Sequence, residues 1–150
     1  MTTTYETDQL AELVTTKLKC LIELREMGVR QQKCIEDEKM SDLIKVLGAK
    51  QTLINRLGQI ERAMDPFRTD DPESRVWRSP ENRAECRKNV EECDAILAQI
   101  LEGERQSESI LRVRRDETAE KLQSSYASSV TRTAYAEAQP RATSQIDFTE

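Results

Sequence analysis

Histidine is absent from this chain of 150 residues. That removes Ser-His and Cys-His dyads, imidazole metal ligands and Glu-x-x-His di-iron sites from the chemistry it could perform. Aromatic side chains are scarce at 4%, too few for a broad globular core. The four glycines, Gly28, Gly48, Gly58 and Gly103, stand singly inside helical pattern, so there is no phosphate-cradling loop. No G-x-S-x-G or EF-hand loop occurs, and no C-x-x-C. No stretch approaches the ~20 apolar residues of a membrane span, and Met1-Thr2-Thr3-Thr4-Tyr5-Glu6 lacks the basic and apolar regions of a signal peptide. These absences make the expectation a soluble, cytoplasmic protein that is not an enzyme and holds no cofactor or metal.

Charge is plentiful, with 23 basic residues against 28 acidic ones and a net charge of −5. The best basic cluster, Arg112-Val113-Arg114-Arg115, is followed directly by Asp116 and Glu117. It reads as a solvated helix face rather than a phosphate-binding stripe, so nucleic acid is not an expected partner. Glu91, Glu92, Glu102 and Glu108 fall on a helix with wide access to water, which reads as a solvated face rather than an acid–base site.

Leu, Ile, Val and Phe total 31 residues, and 28 of them lie between positions 10 and 122. The rest of the chain has only Val130, Ile146 and Phe148 after that point. An ordered body followed by a polar, disordered tail over 124–150 is the expected division. Within the body, Leu10, Leu13, Lys17, Cys20, Leu24, Met27, Gln31 and Cys34 step by alternating threes and fours, which predicts a heptad helix over about 7–37. Lys17 can lay its stem along such a seam and carry its ammonium to water. Gly28 inside the pattern is either a close approach or a weak point.

The acidic run Glu36-Asp37-Glu38 interrupts the pattern, with Ser41 and Asp42 as candidate caps. A second helix over 40–64 then has the seam Met40, Leu43, Leu47, Lys50, Ile54, Leu57, Glu61 and Met64, backed by Ile44 and Ile60. Gly48 and Gly58 suit a helix crossing. Pro66, Pro72 and Pro80 make 65–80 a connector, since proline costs ~3 kcal/mol inside a helix. Trp77 either anchors that connector or meets a partner. Ser79-Pro80 gives a cap-then-proline start to a third helix over 80–123, seamed by Cys86, Val90, Cys93, Leu97, Ile100, Glu104, Ser107 and Leu111. The expected fold is all-α: an elongated antiparallel three-helix bundle or coiled coil with a long third helix. Cys20, Cys34, Cys86 and Cys93 sit at heptad multiples, as small apolar seam residues or, if the helices align them, as a thiolate cluster.

Two shorter helices cannot cover the whole of the third, and its seam turns polar after Leu111. Its later part should therefore fray, form a homodimer, or await another protein.

Leu43-Ile44-Lys45-Val46-Leu47-Gly48-Ala49-Lys50-Gln51-Thr52-Leu53-Ile54 resembles the second-helix pattern of FlgN-type flagellar export chaperones, with its Lys-Gln pair between leucine-rich turns. Leu21-Ile22-Glu23-Leu24-Arg25-Glu26-Met27 is similar to their first helix, and a long third helix with a Tyr-bearing tail matches their layout. The resemblance implies a cytoplasmic chaperone whose clients are hook–filament junction proteins and whose tail serves delivery to the flagellar export gate. Carried onto this chain, it implies a client groove at Ile96, Leu97, Ile100, Leu101, Ile110, Leu111 and Leu122, with tail contacts at Tyr126 and Tyr135. A self-associating structural coiled-coil or adaptor protein is the alternative.

Overall fold

A computed structural model describes residues 5–138. The described chain is all-α: helices α1 (Glu6–Glu36), α2 (Met40–Arg68) and α3 (Pro80–Ala138), with one 3-10 turn at Pro72–Ser74. It divides into two compact units, Met1–Ser109 and Ile110–Glu150.

In the first unit α1 and α2 are the most closely packed pair of helices. The turn between them has the hydrogen bonds of a Schellman motif: Lys39 N–H donates to Cys34 C=O and Glu38 N–H to Ile35 C=O. Glu38 takes the left-handed position, φ 57°, where glycine is the usual occupant. This turn puts the N-cap of α2 at Lys39, two residues before Ser41, the first expected cap. Ser41 and Asp42 are thus inside the helix and cap nothing. At its other end α2 runs past Glu61 to Arg68, with Pro66 inside its final turns. The connector is accordingly shorter than 65–80.

The connector is tied to the first turn of α1. Thr7 Oγ1 donates to Val76 C=O at 2.7 Å, and the Arg78 guanidinium reaches Asp8 at 2.6 Å while lying 5.1 Å from the Tyr5 ring centre. Hydrogen bonding to that guanidinium holds the Asp8 carboxyl below the usual carboxylate range. Ser79 Oγ accepts from Asn82 N–H at 3.1 Å, so the expected cap-then-proline start of α3 is present. From there α3 follows α1 in the same direction, as the pairs Asp8–Arg78, Arg25–Gln99 and Gln31–Glu104 show.

Leu21 and Ile35 are fully enclosed, and Val14 and Cys93 nearly so. One buried cluster joins Cys20, Leu21 and Leu24 of α1, Leu53 and Ile60 of α2, and Cys93 and Ile96 of α3. A second joins Leu10, Val14 and Cys86, with Phe67 and Trp77 against them. Trp77 therefore anchors the connector. A Cβ added at Gly28, Gly48 or Gly58 would meet no atom within 4 Å, so these glycines mark no close helix approach and Gly28 is a local weak point.

The second unit, over its described residues, is a single helical stretch. Expectation placed the end of α3 at 123, but it continues to Ala138. No Gly or Pro occurs between Gly103 and Pro140 to stop it. Two hydroxyls that could compete with the helix bond back to its preceding turn: Thr131 donates to Ala127 C=O and Thr133 to Ser129 C=O. The tail residues Ile146 and Phe148 lie outside the described residues.

Candidate partner-binding surfaces

The residues expected to form a client groove divide on burial. Ile96 is 4% exposed and belongs to the bundle core, with Ile100 packed beside it. Ile96 is a correction, since on α3 it is enclosed by α1 and α2 and is not open to a client; Ile100 is only half-buried. Leu97 and Leu101 lie four residues apart and are exposed. In the second unit Ile110 is half-buried, while Leu111 and Leu122 are exposed. Tyr126 and Tyr135 are exposed too, on a helix rather than in an irregular tail.

Half of the expected α2 seam, Leu43, Lys50, Leu57 and Met64, does point inward, and the other half is displaced by one step to Leu53 and Ile60. The inward residues are Leu43, Lys50, Leu53 and Ile60, joined by the part-buried Leu57 and Met64. Met40, Leu47 and Ile54, which the heptad spacing puts in the seam, are exposed, and with Ile44 (70% exposed) they form an apolar stripe of their own. Steps of four, three and seven put these four on one side of the helix. Two heptad phases thus compete in α2, both including Lys50, and burial chooses the one containing Leu53 and Ile60. The discarded phase is a surface that sequence reasoning missed. Its signal was present: apolar residues occupy more of the α2 circumference than one seam needs.

Polar residues at seam positions meet one another. Lys17 Nζ pairs with Glu61 at 2.7 Å instead of ending in water, and Glu61 also holds Arg68. About four turns further along α1, Lys50 Nζ donates to Gln31 Oε1 at 2.5 Å and to Glu104 Oε1, joining all three helices. Ser107 is buried one turn along α3 from Glu104. Lys50 is a charge almost fully withdrawn from water, and these two acceptors make its burial tolerable.

The four cysteines are free thiols. Cys20 Sγ donates to Leu53 C=O at 3.3 Å and Cys93 Sγ to Val14 C=O at 3.9 Å, each tying one helix to another. Burial pushes the Cys20, Cys86 and Cys93 thiols above their ordinary range, so they are poor nucleophiles. Among the described residues no group of His, Cys, Asp and Glu side chains is arranged to hold a metal ion. No helix among them is long and apolar enough to cross a membrane.

A cavity of about 540 Å³ opens at the connector end of the first unit. Leu10, Val14, Met64, Phe67, Trp77 and Cys86 give it apolar walls, and Arg68, Arg75, Arg83 and Arg87 stand among its lining residues. The arrangement as a whole offers apolar helix faces and one arginine-rimmed cavity.

Comparison with known protein families, with curated proteins and with solved structures gave no match.

Proposed function

We propose that the chain is a cytoplasmic, non-enzymatic chaperone that binds an amphipathic helical segment of a secreted protein. The observation carrying this reading is the outward apolar stripe of α2, Ile44, Leu47 and Ile54, in a unit whose core is already complete without it. Leu97 and Leu101 on α3 add to the apolar surface of that unit. An amphipathic helix laid on such side chains is held at i, i+3, i+4 anchors. At about 25 cal/mol per Å² of apolar area, a few covered Leu and Ile side chains give useful affinity.

The specific form of the proposal follows the likeness to FlgN-type chaperones: the clients are hook–filament junction proteins, and covering their helical ends prevents premature assembly. Handover to the export gate then falls to the second unit, where Tyr126 and Tyr135 are exposed. A heptad-based three-helix bundle, with coiled-coil packing along the α1–α2 seam, is the scaffold this function requires.

Calorimetric titration of the host's hook–filament junction proteins into the full chain tests the proposal. Micromolar or tighter binding is expected, with at least a tenfold loss in a Leu47→Asp, Ile54→Asp variant of unchanged helix content. Binding that survives there but fails in Leu111→Asp, Leu122→Asp would move the client to the second unit. A stable dimer in solution with no affinity for any such protein would establish the self-associating alternative, which the exposed Leu111 and Leu122 favour.

A further inference from the structure

The cavity at the connector end is unlike the apolar stripes, because charge surrounds it. Its apolar walls come from three separate segments, α1, the end of α2 and the start of α3, closed by Trp77 of the connector. Around them stand four arginines against two glutamates, Glu73 and Glu91, in a chain whose net charge is −5. Three of those arginines are committed: Arg68 to Glu61 and Asp65, Arg75 to the Phe67 carbonyl, and Arg83 to Glu73. Arg87 makes no hydrogen bond or ion pair among the described residues. The Nε of Arg75 and the Nε1 of Trp77, both shut off from water, have no acceptor either. Shielded donors without partners are rare, and here two belong to the wall of one cavity.

We infer that this cavity binds a small amphipathic carboxylate, an acyl chain with a single anionic head. The volume lies within the ordinary range for small-molecule pockets. The chain of such a ligand replaces water against Leu10, Val14, Met64 and Phe67. Its head answers the one uncommitted guanidinium, which a carboxylate matches in charge and in planar geometry. A turn of the Trp77 or Arg75 side chain then gives a stranded donor its acceptor. The site is separate from the outward stripe of α2, so its occupancy and client binding stand or fall independently.

Trp77 is the only tryptophan, so its emission reports on this cavity and nothing else. Dodecanoate titrated into the full chain below its micellar concentration should change Trp77 emission saturably, with one site per chain. Dodecyltrimethylammonium, with the same chain and opposite head, should bind at least tenfold more weakly. Arg87→Ala should weaken dodecanoate about fivefold, since the guanidinium is solvent-exposed and partly screened. Val90→Phe, which enlarges an exposed wall residue and leaves the core alone, should block the site while circular dichroism stays unchanged. Equal affinity for the cationic and anionic amphiphiles, or unsaturable binding, overturns the inference. Dodecyl phosphate bound tenfold more tightly than dodecanoate overturns the choice of a singly charged carboxylate.

Discussion

The two units of this chain are built from similar helical sequence and behave oppositely toward water. In the first, Leu21 and Ile35 are wholly enclosed, and the polar residues of the seam find one another. In the second, Leu122, Tyr126 and Tyr135 are each exposed by two thirds or more. Helix-forming composition alone therefore decides whether the backbone coils. Whether its side chains are buried depends on having neighbours. The first unit owes its stability to packing, whereas the second relies on intrinsic propensity, which is marginal for a helix without tertiary support.

Truncations at matched leucines should expose that contrast most sharply. Leu21→Ala should destabilise the protein by about 2–5 kcal/mol in urea unfolding, because it removes a fully enclosed side chain and leaves a cavity. Leu122→Ala should stay within about 0.5 kcal/mol. A large loss at Leu122 would show that the second unit has a partner in solution, and the comparison would break there.

A smaller effect is expected at the polar junction of the first unit. Glu104→Leu leaves the Lys50 ammonium buried with only Gln31 as acceptor, and should cost about 1–3 kcal/mol. Lys50→Met combined with Glu104→Leu should recover most of it, since both members of the pair are then apolar. A double-mutant cycle with no coupling would mean the junction contributes nothing beyond its separate side chains.

The mildest test is alkaline. The buried thiols Cys20, Cys86 and Cys93 ionise at higher pH in the folded chain than in the unfolded one. The unfolded state therefore releases its thiol protons first, and stability is fully present below that range and declines as pH rises above about 8.5. Replacing the three cysteines by alanine should flatten that decline relative to wild type, as urea midpoints across an alkaline series would show. An identical slope in both proteins would mean the thiols do not titrate differently on folding. Every cysteine belongs to the first unit, so the second should show no thiol-dependent change at any pH.

Periodicity made much of the first unit legible. The α1 stripe, the start of α3 at Ser79-Pro80 and the packing of Cys20, Cys86 and Cys93 all follow from spacing and residue type. The α2 phase did not, because both alternatives are apolar and differ only in which is covered from outside the helix. Ile96 shows the same difficulty: an isoleucine beside Leu97 looks equally suited to core or client until the neighbouring helices are in place. Glu38 in a left-handed turn has no sequence signal, since the residue that usually marks that position is absent. The extension of α3 to Ala138 was hidden by Ser and Thr, two of which, Thr131 and Thr133, bond back to the preceding helical turn. The cavity has no linear signature at all, because its walls come from Leu10, Phe67, Trp77 and Cys86.

The pairs Lys17–Glu61 and Gln31–Lys50 also have a consequence for folding errors. Hydrophobic heptads alone would let α2 slide along α1 by one repeat with little loss, since leucine meets leucine either way. Here such a slip would press the buried Lys50 against Leu24 and part Glu61 from Lys17, stranding one ammonium among buried leucines. A stranded buried ammonium costs about 3 kcal/mol or more, enough to make the mispaired hairpin a small fraction of the population. One ion pair and one hydrogen-bonded lysine in an otherwise repetitive seam thus act as a ruler. A hairpin that lost both would populate the wrong alignment more heavily without any change in its hydrophobic content.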